Sequence, residues 1–406
     1  MEKNQGKMLF GRKVDFLLLY MIIGFVFLSF RGMPWGTGSS TVLAFMLFFA
    51  GVFGTLWFKR KELSFGPKVV YIPLLLIVAS SFMWIFLDDD LSIGIFYFVT
   101  LTFMFLLYLA SMRKGYNLTW FAVPIIMILS ASVMWDGVNR LLEHEAFIAR
   151  ATGFSENTDQ VASILVVCIF LLGGRWKWLA FPAMITILFT GSYWALMALV
   201  GCGFIALVKK EVNLSKKFLT TLGCFVLLLV VVVASSTSIQ ERVWQVNQVQ
   251  DAWEKGSLRG AQSLNTRLDA NGEALRNFSF VGHGLDLEKD EDGGLHGQSN
   301  RYGINLHNVP LVLLDNMGVV AALSWLFVTL VAIYHSKRYR YALLAIFIMS
   351  ATGSADWWWF NLWMPFYFAL LGLVALEIKD KQLTPKWIRY RSNYVGKGFK
   401  KSSLQA

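Results

Sequence analysis

Residues 91–111 read LSIGIFYFVTLTFMFLLYLAS, an uncharged apolar run with Asp88-Asp89-Asp90 before it and Arg113-Lys114 after it. A helix crossing a bilayer needs about 20 mostly apolar residues, because about 30 Å of hydrocarbon is covered at about 1.5 Å per residue. This run has the length, lacks charge inside, and separates carboxylates from cations across its ends. Working outward, the same pattern marks twelve expected spans: 14–30, 41–58, 69–87, 91–111, 117–135, 160–174, 178–192, 193–208, 218–235, 308–335, 341–355 and 357–376. The 178–208 stretch is apolar throughout and is divided at Gly191-Ser192, since one helix of that length would overshoot the hydrocarbon. The first run follows Lys3, Lys7, Arg12 and Lys13 as a signal peptide would. No small-residue cleavage site comes after it, so it reads as a retained anchor.

Composition agrees with the spans. Of 406 residues, 56% are hydrophobic and only 16% are charged, where a soluble chain is about a quarter charged; the mean hydropathy is +0.53. A cytosolic enzyme, a nucleic-acid-binding domain and a disordered tail protein are excluded. Cys168, Cys202 and Cys224 lie within apolar runs and read as small buried residues rather than a disulfide framework.

Orientation follows from the cations. Most of the 37 basic residues gather at the N-terminus, in the C-terminal tail, and in alternate connections: Lys59 to Lys68, Arg113-Lys114, Arg175 and Lys177, Lys209 to Lys217, and Lys337 to Arg340. The opposite side holds nearly all the carboxylates. Both termini are therefore expected in the cytoplasm, and the net charge of +11 is a topology signal rather than a nucleic-acid footprint.

Two outer connections are long enough to carry function, 136–159 and 236–306. In the second, Ser238 with Glu241 forms a capping-box pair, and Ile239, Val243, Val246, Val249 and Trp253 fall near helical spacing. Leu264, Leu268 and Leu275 mark a second helix on one face. The domain plan is 1–235 as spans with short loops, 236–306 as an outer helical lid, 307–376 as the last three spans, and 377–406 as a basic tail.

The second lid helix carries Arg267 and Arg276. It leads to Phe280-Val281-Gly282-His283-Gly284, then an acidic Gly-rich stretch, then His307-Asn308 opening a span that reaches Gly318. Earlier, Gly153-Phe154-Ser155-Glu156-Asn157 follows Arg150, and Thr190-Gly191-Ser192 divides the 178–208 run. Taken together and in this order over about residues 150–325, these segments resemble the O-antigen ligase and polymerase superfamily of lipid-linked glycan transferases. The resemblance implies an all-α, GT-C-like polytopic fold of about twelve transmembrane helices in a bacterial inner membrane. The donor it implies is a glycan on undecaprenyl pyrophosphate; the acceptor is lipid A–core or a growing glycan. Membrane lipids are the remaining partner, with no nucleic acid and no cofactor, neither metal nor nucleotide. In the family an arginine usually follows the Gly-Ser pair and is taken to bind the carrier pyrophosphate. Here Tyr193 stands there, so either Arg150 or Arg140 reaches that site or the donor is held differently.

A diphosphate leaving group needs charge stabilisation rather than protonation, and arginine supplies it as a planar, permanently charged, bidentate donor. Arg267 is assigned that catalytic role, with Arg150, Arg140 and Arg276 as substrate-binding residues. The attacking sugar hydroxyl must lose a proton, and His307 suits a general base, with Asn308 orienting it or the acceptor. Asp269 and Glu273 stay open as alternatives. His144, His283, His296 and His335 read as structural or solvated. Glu288-x-Asp290-x-Asp292-Gly293 imitates a calcium loop but has Ser299 where the twelfth-position Glu belongs. Asp356-Trp357-Trp358-Trp359 reads as an interfacial aromatic belt. Within the transferase reading, one dominant outer loop favours ligase over polymerase. A transporter or flippase is the competing class, expected to show repeats, broken paired helices and charges near the midplane.

Overall fold

The computed structural model describes residues 49–57, 64–87, 91–112, 118–142, 158–209, 262–284, 287–289, 295–299, 308–352 and 363–383, with Met46 and Gly153 besides. Residues 49–57 are helical, followed by α1 (Lys68–Leu87), α2 (Leu91–Ser111), α3 (Thr119–Leu142) and α4 (Thr158–Leu171). A 3-10 turn (Gly174–Leu179) leads into α5 (Ala180–Thr190) and α6 (Tyr193–Val208). Beyond these lie α7 (Gln262–Arg276), strands β1 (Leu287–Lys289) and β2 (Leu295–Ser299), α8 (Val309–His335), α9 (Arg340–Thr352) and α10 (Trp363–Leu383).

Most of the expected spans that fall on described residues appear as helices at nearly the expected bounds, and 91–111 and 193–208 coincide with α2 and α6. Gly191 ends α5 in the left-handed conformation (φ 63°), its N–H donating to Leu188 O at 3.0 Å. That supplies the physical reason for dividing the 178–208 run there. The expected spans 14–30 and 218–235, and the Ser238–Trp253 helix, lie outside the described residues. Among the described residues two helices, Thr119–Asn139 and Val309–His335, are long and apolar enough to cross a membrane.

Among the described elements, those that are not helical are two short strands, which pair Leu287 with Ser299 and Lys289 with Leu295 in antiparallel fashion. The pairing was not foreseen, and its signal in the sequence is the Gly293-Gly294 pair between two short runs. Residues 357–362 of the expected last span lie outside the described residues, and α10 runs seven residues beyond 376, because Glu377-Ile378-Lys379-Asp380-Lys381 continues with sound helix formers.

One group of helices packs α8 on α1, α1 on α2 and α2 on α10; the other assembles α3, α4 and α5; α9 touches α4, α6 and α8 and links the two. Trp325, fully buried in α8, stacks on Phe347 of α9 (6.0 Å between ring centroids) and lies beside Tyr367 of α10 (6.3 Å). Hydroxyls inside apolar helices bond back to their own backbone, as Thr186 does to Pro182 O (2.8 Å) and Thr329 to Trp325 O (2.6 Å). Thr329 also meets the Tyr367 hydroxyl at 2.6 Å, tying α8 to α10. At its lower end α8 presents carbonyls to cations, with Arg340 Nε donating to Ile333 O (3.2 Å) and Lys381 Nζ to His335 O. Cations there complement the negative end of the helix dipole.

α2 and α10 approach so closely at Gly372 that an added Cβ would overlap Tyr108 O. Gly372→Ala should therefore destabilise the protein by about 1–3 kcal/mol through overpacking. Gly203→Ala in α6, where a Cβ meets nothing within 4 Å, should not lower stability; thermal unfolding of the two purified variants in detergent checks the contrast.

Candidate functional site

α8 is not one continuous helix. Gly318 takes φ 83°, ψ −179°, breaking the ladder three turns from the N-terminus. In an unbroken helix Val319 N–H would bond to Asp315 O, and Asn316 O would accept from Val320. Here the turn 280–284 substitutes. Val319 N donates to Phe280 O (3.2 Å), His283 N donates to Asp315 O (2.8 Å), and Gly284 N donates to Asn316 O (3.2 Å). A buried backbone group left unpaired costs about 1–3 kcal/mol, so the seated turn is what makes the break tolerable.

Three glycines make the seat. Gly282 and Gly318 have φ of 87° and 83°, and Gly284 has 76°. A Cβ on Gly282 would overlap Asn316 O, and one on Gly318 would overlap Phe280 O. Backbone lies directly on backbone here, which only glycine permits.

The seat also brings polar side chains together. Asp315 is fully buried within the apolar helix, and His283 Nδ1 lies 3.2 Å from its Oδ1 while the imidazole side chain keeps 33% of its exposure. With its amide oriented to donate, Asn316 Nδ2 reaches Asp315 Oδ2 at 3.3 Å and Gly284 O at 3.2 Å. A carboxylate that holds one ring nitrogen orients the imidazole, the arrangement from which a histidine acts as base or acid. Sequence reasoning placed His283 among structural residues and did not single out Asp315. The available signal was an Asp-Asn pair inside an otherwise uncharged run.

α7 is in contact with α8, and Ala270 and Ala274 are buried. Leu275, expected on the apolar face of this helix, is 53% exposed. Small buried side chains let helix backbones approach closely. Arg267 lies on α7, about one turn before Ala270. Arg276 ends α7 and is exposed.

Asn308 is the N-cap of α8. Its Oδ1 accepts from Leu311 N (3.2 Å), and its Nδ2 donates to Ala351 O near the end of α9 (2.8 Å). That double bond fixes the residue structurally, beside any contact with substrate. His307 and Arg150 lie outside the described residues. Arg140 occupies the last turn of α3. Gly153, three residues after Arg150, donates its N–H to Asp136 Oδ2 of α3 at 3.0 Å, with φ 61°. Gly153 is therefore pinned about one turn from Arg140.

Gly282→Ala and Gly318→Ala should each unseat the turn, lowering stability by about 1–3 kcal/mol. Limited proteolysis should then cut faster between Arg276 and Asn308 than in the parent protein. Equal cleavage rates would mean that the turn is held by something other than this backbone contact.

Compared with known proteins, the chain matches no family model and no curated protein.

Proposed function

We propose that the chain is a multi-pass membrane glycosyltransferase that moves a glycan from an undecaprenyl-pyrophosphate donor to a sugar hydroxyl at the outer face. Within that class we favour a ligase with a lipid A–core acceptor over a polymerase. The observation that carries the reading is the seat of Phe280–Gly284 in the broken α8. It clamps the arginine-bearing α7 against the helix whose first residues follow His307-Asn308. Two of the segments on which the family resemblance rests, 280–284 and the stretch from Asn308 to Gly318, are thereby in contact.

Depth supports the same reading. If Tyr334, exposed near the lower end of α8, marks the inner interface as tyrosines commonly do, the continuous part of the helix carries Gly318 about 24 Å above it at about 1.5 Å per residue. Asn308 opens the segment beyond the break, toward the outer boundary of a hydrocarbon layer of about 30 Å, the level at which a lipid carrier holds its phosphates. An arginine there stabilises the departing diphosphate. An imidazole there accepts the proton of the attacking hydroxyl while the new glycosidic bond forms and the anomeric carbon–phosphate bond breaks. His307 is the first choice as base. His283, oriented by Asp315, is a second imidazole on the same helix end.

A broken helix with a buried carboxylate also suits a transporter, and this is the runner-up. In transporters the backbone groups freed by the break face the cargo. Here Asp315 O, Asn316 O and Val319 N bond to the turn, which favours a structural seat.

Purified protein given lipid-linked donor and acceptor, without an energy source, should yield the covalent product; no product alongside translocation in vesicles would overturn the proposal. His307→Ala and Arg267→Ala should each lower transfer by about 10²–10⁴-fold while expression and insertion persist. Deleting the gene in its host separates the two transferase types: long lipid-linked polymer with bare core for a ligase, single repeat units on core for a polymerase.

A further inference from the structure

Exposed large apolar residues on α8 form a narrow stripe: Val320, Leu323, Phe327, Leu330 and Tyr334. Their spacing of three and four residues keeps them on one face over about 21 Å of helix. On the proposed reading this face meets lipid. The stripe does not stop at the break. Phe280, whose carbonyl bonds Val319 N, is 75% exposed next to the top of the stripe, and Phe278, Val281 and Leu275 are exposed with it. Phe278 and Phe280 pack edge to face, with ring centroids 6.1 Å apart.

We propose that Leu275, Phe278, Phe280 and Val281 form a wedge that inserts into the outer leaflet of the bilayer, its occupant being lipid hydrocarbon. Two further observations carry this. The first is depth. Gly318, on which Phe280 rests, lies about 24 Å above Tyr334 at about 1.5 Å per residue, inside a hydrocarbon layer of about 30 Å. The second is the division of α7: Ala270 and Ala274 are buried while Leu275 is exposed, as in an interfacial helix whose apolar residues enter the acyl boundary. Asp315 lies beyond the break, on the outer side of Gly318, so the polar pair stands above the level at which Phe280 rests. The wedge would hold the outer segment at a fixed depth beside the lipid carrier.

The inference rests on α8 being a span and is independent of the transfer chemistry. The test uses the full chain in liposomes with single cysteines bearing nitroxide labels at Phe280→Cys and Val281→Cys. Leu323→Cys and Phe327→Cys serve as lipid references, and Glu273→Cys, exposed on α7, as the aqueous one. Cys168 and Cys202 are buried, and Cys224→Ala removes the third thiol. The labels at 280 and 281 should collide with oxygen as those at 323 and 327 do, and should lose the collisions with an aqueous nickel chelate that the label at 273 shows. Chelate collisions at 280 and 281 with lipid-like behaviour at 323 and 327 would overturn the wedge and leave the span intact. Chelate collisions at all four would overturn the span as well. Immobile labels at 280 and 281, shielded from both reagents, would mean that protein covers the patch and would also overturn the wedge.

Discussion

Every buried backbone N–H and C=O needs a partner, and the break at Gly318 puts that requirement where little water is available. An apolar helix can be interrupted only where something else takes over the hydrogen bonds it gives up. In this protein a turn twenty-five residues upstream of the helix start does so. Its hold explains why glycine stands at 282, 284 and 318, why α7 lies on α8, and why a polar Asp315 is tolerated inside an apolar helix. Unseat the turn and all three lose their support together.

Seen from the helix, the cost of the interruption is offset by geometry. An unbroken α8 would present nothing to an outer segment except side chains. The broken one presents backbone groups, which bind in one register and at one depth. The segment carrying Arg267 and Arg276 is thereby held by directional bonds at its C-terminal end and by small-residue packing along α7. Such a segment can bring charge to a fixed point without needing a large core of its own. At the other end of α8, Asn308 joins the helix start to α9, so the mouth of the helix is fixed from two sides.

The site was partly legible in advance. Gly282 and Gly284 stand out in the sequence as flanking a tight turn and Asn308 reads as a helix start, whereas Gly318 reads only as a glycine within an expected continuous span. Helix bounds in apolar runs were also legible, because hydrophobicity and charge act through local composition. Leu275 shows where such reasoning stops: its spacing marks an apolar face of α7, and among the described side chains there Ala270 and Ala274 are buried while Leu275 is exposed. Periodicity says that an apolar face exists; it does not say whether protein or lipid covers it. His283 shows the same limit, since its partner Asp315 lies thirty-two residues away and nothing local links them.

The chain by itself therefore determined where apolar helices form, where they must turn, and which ends attract cations, all through interactions among near neighbours. Only the tertiary structure decided that one helix is broken, which turn fills the gap, and which carboxylate orients which imidazole. Those depend on hydrogen bonds between segments distant in sequence, whose strength comes from being closed together in a place that excludes water.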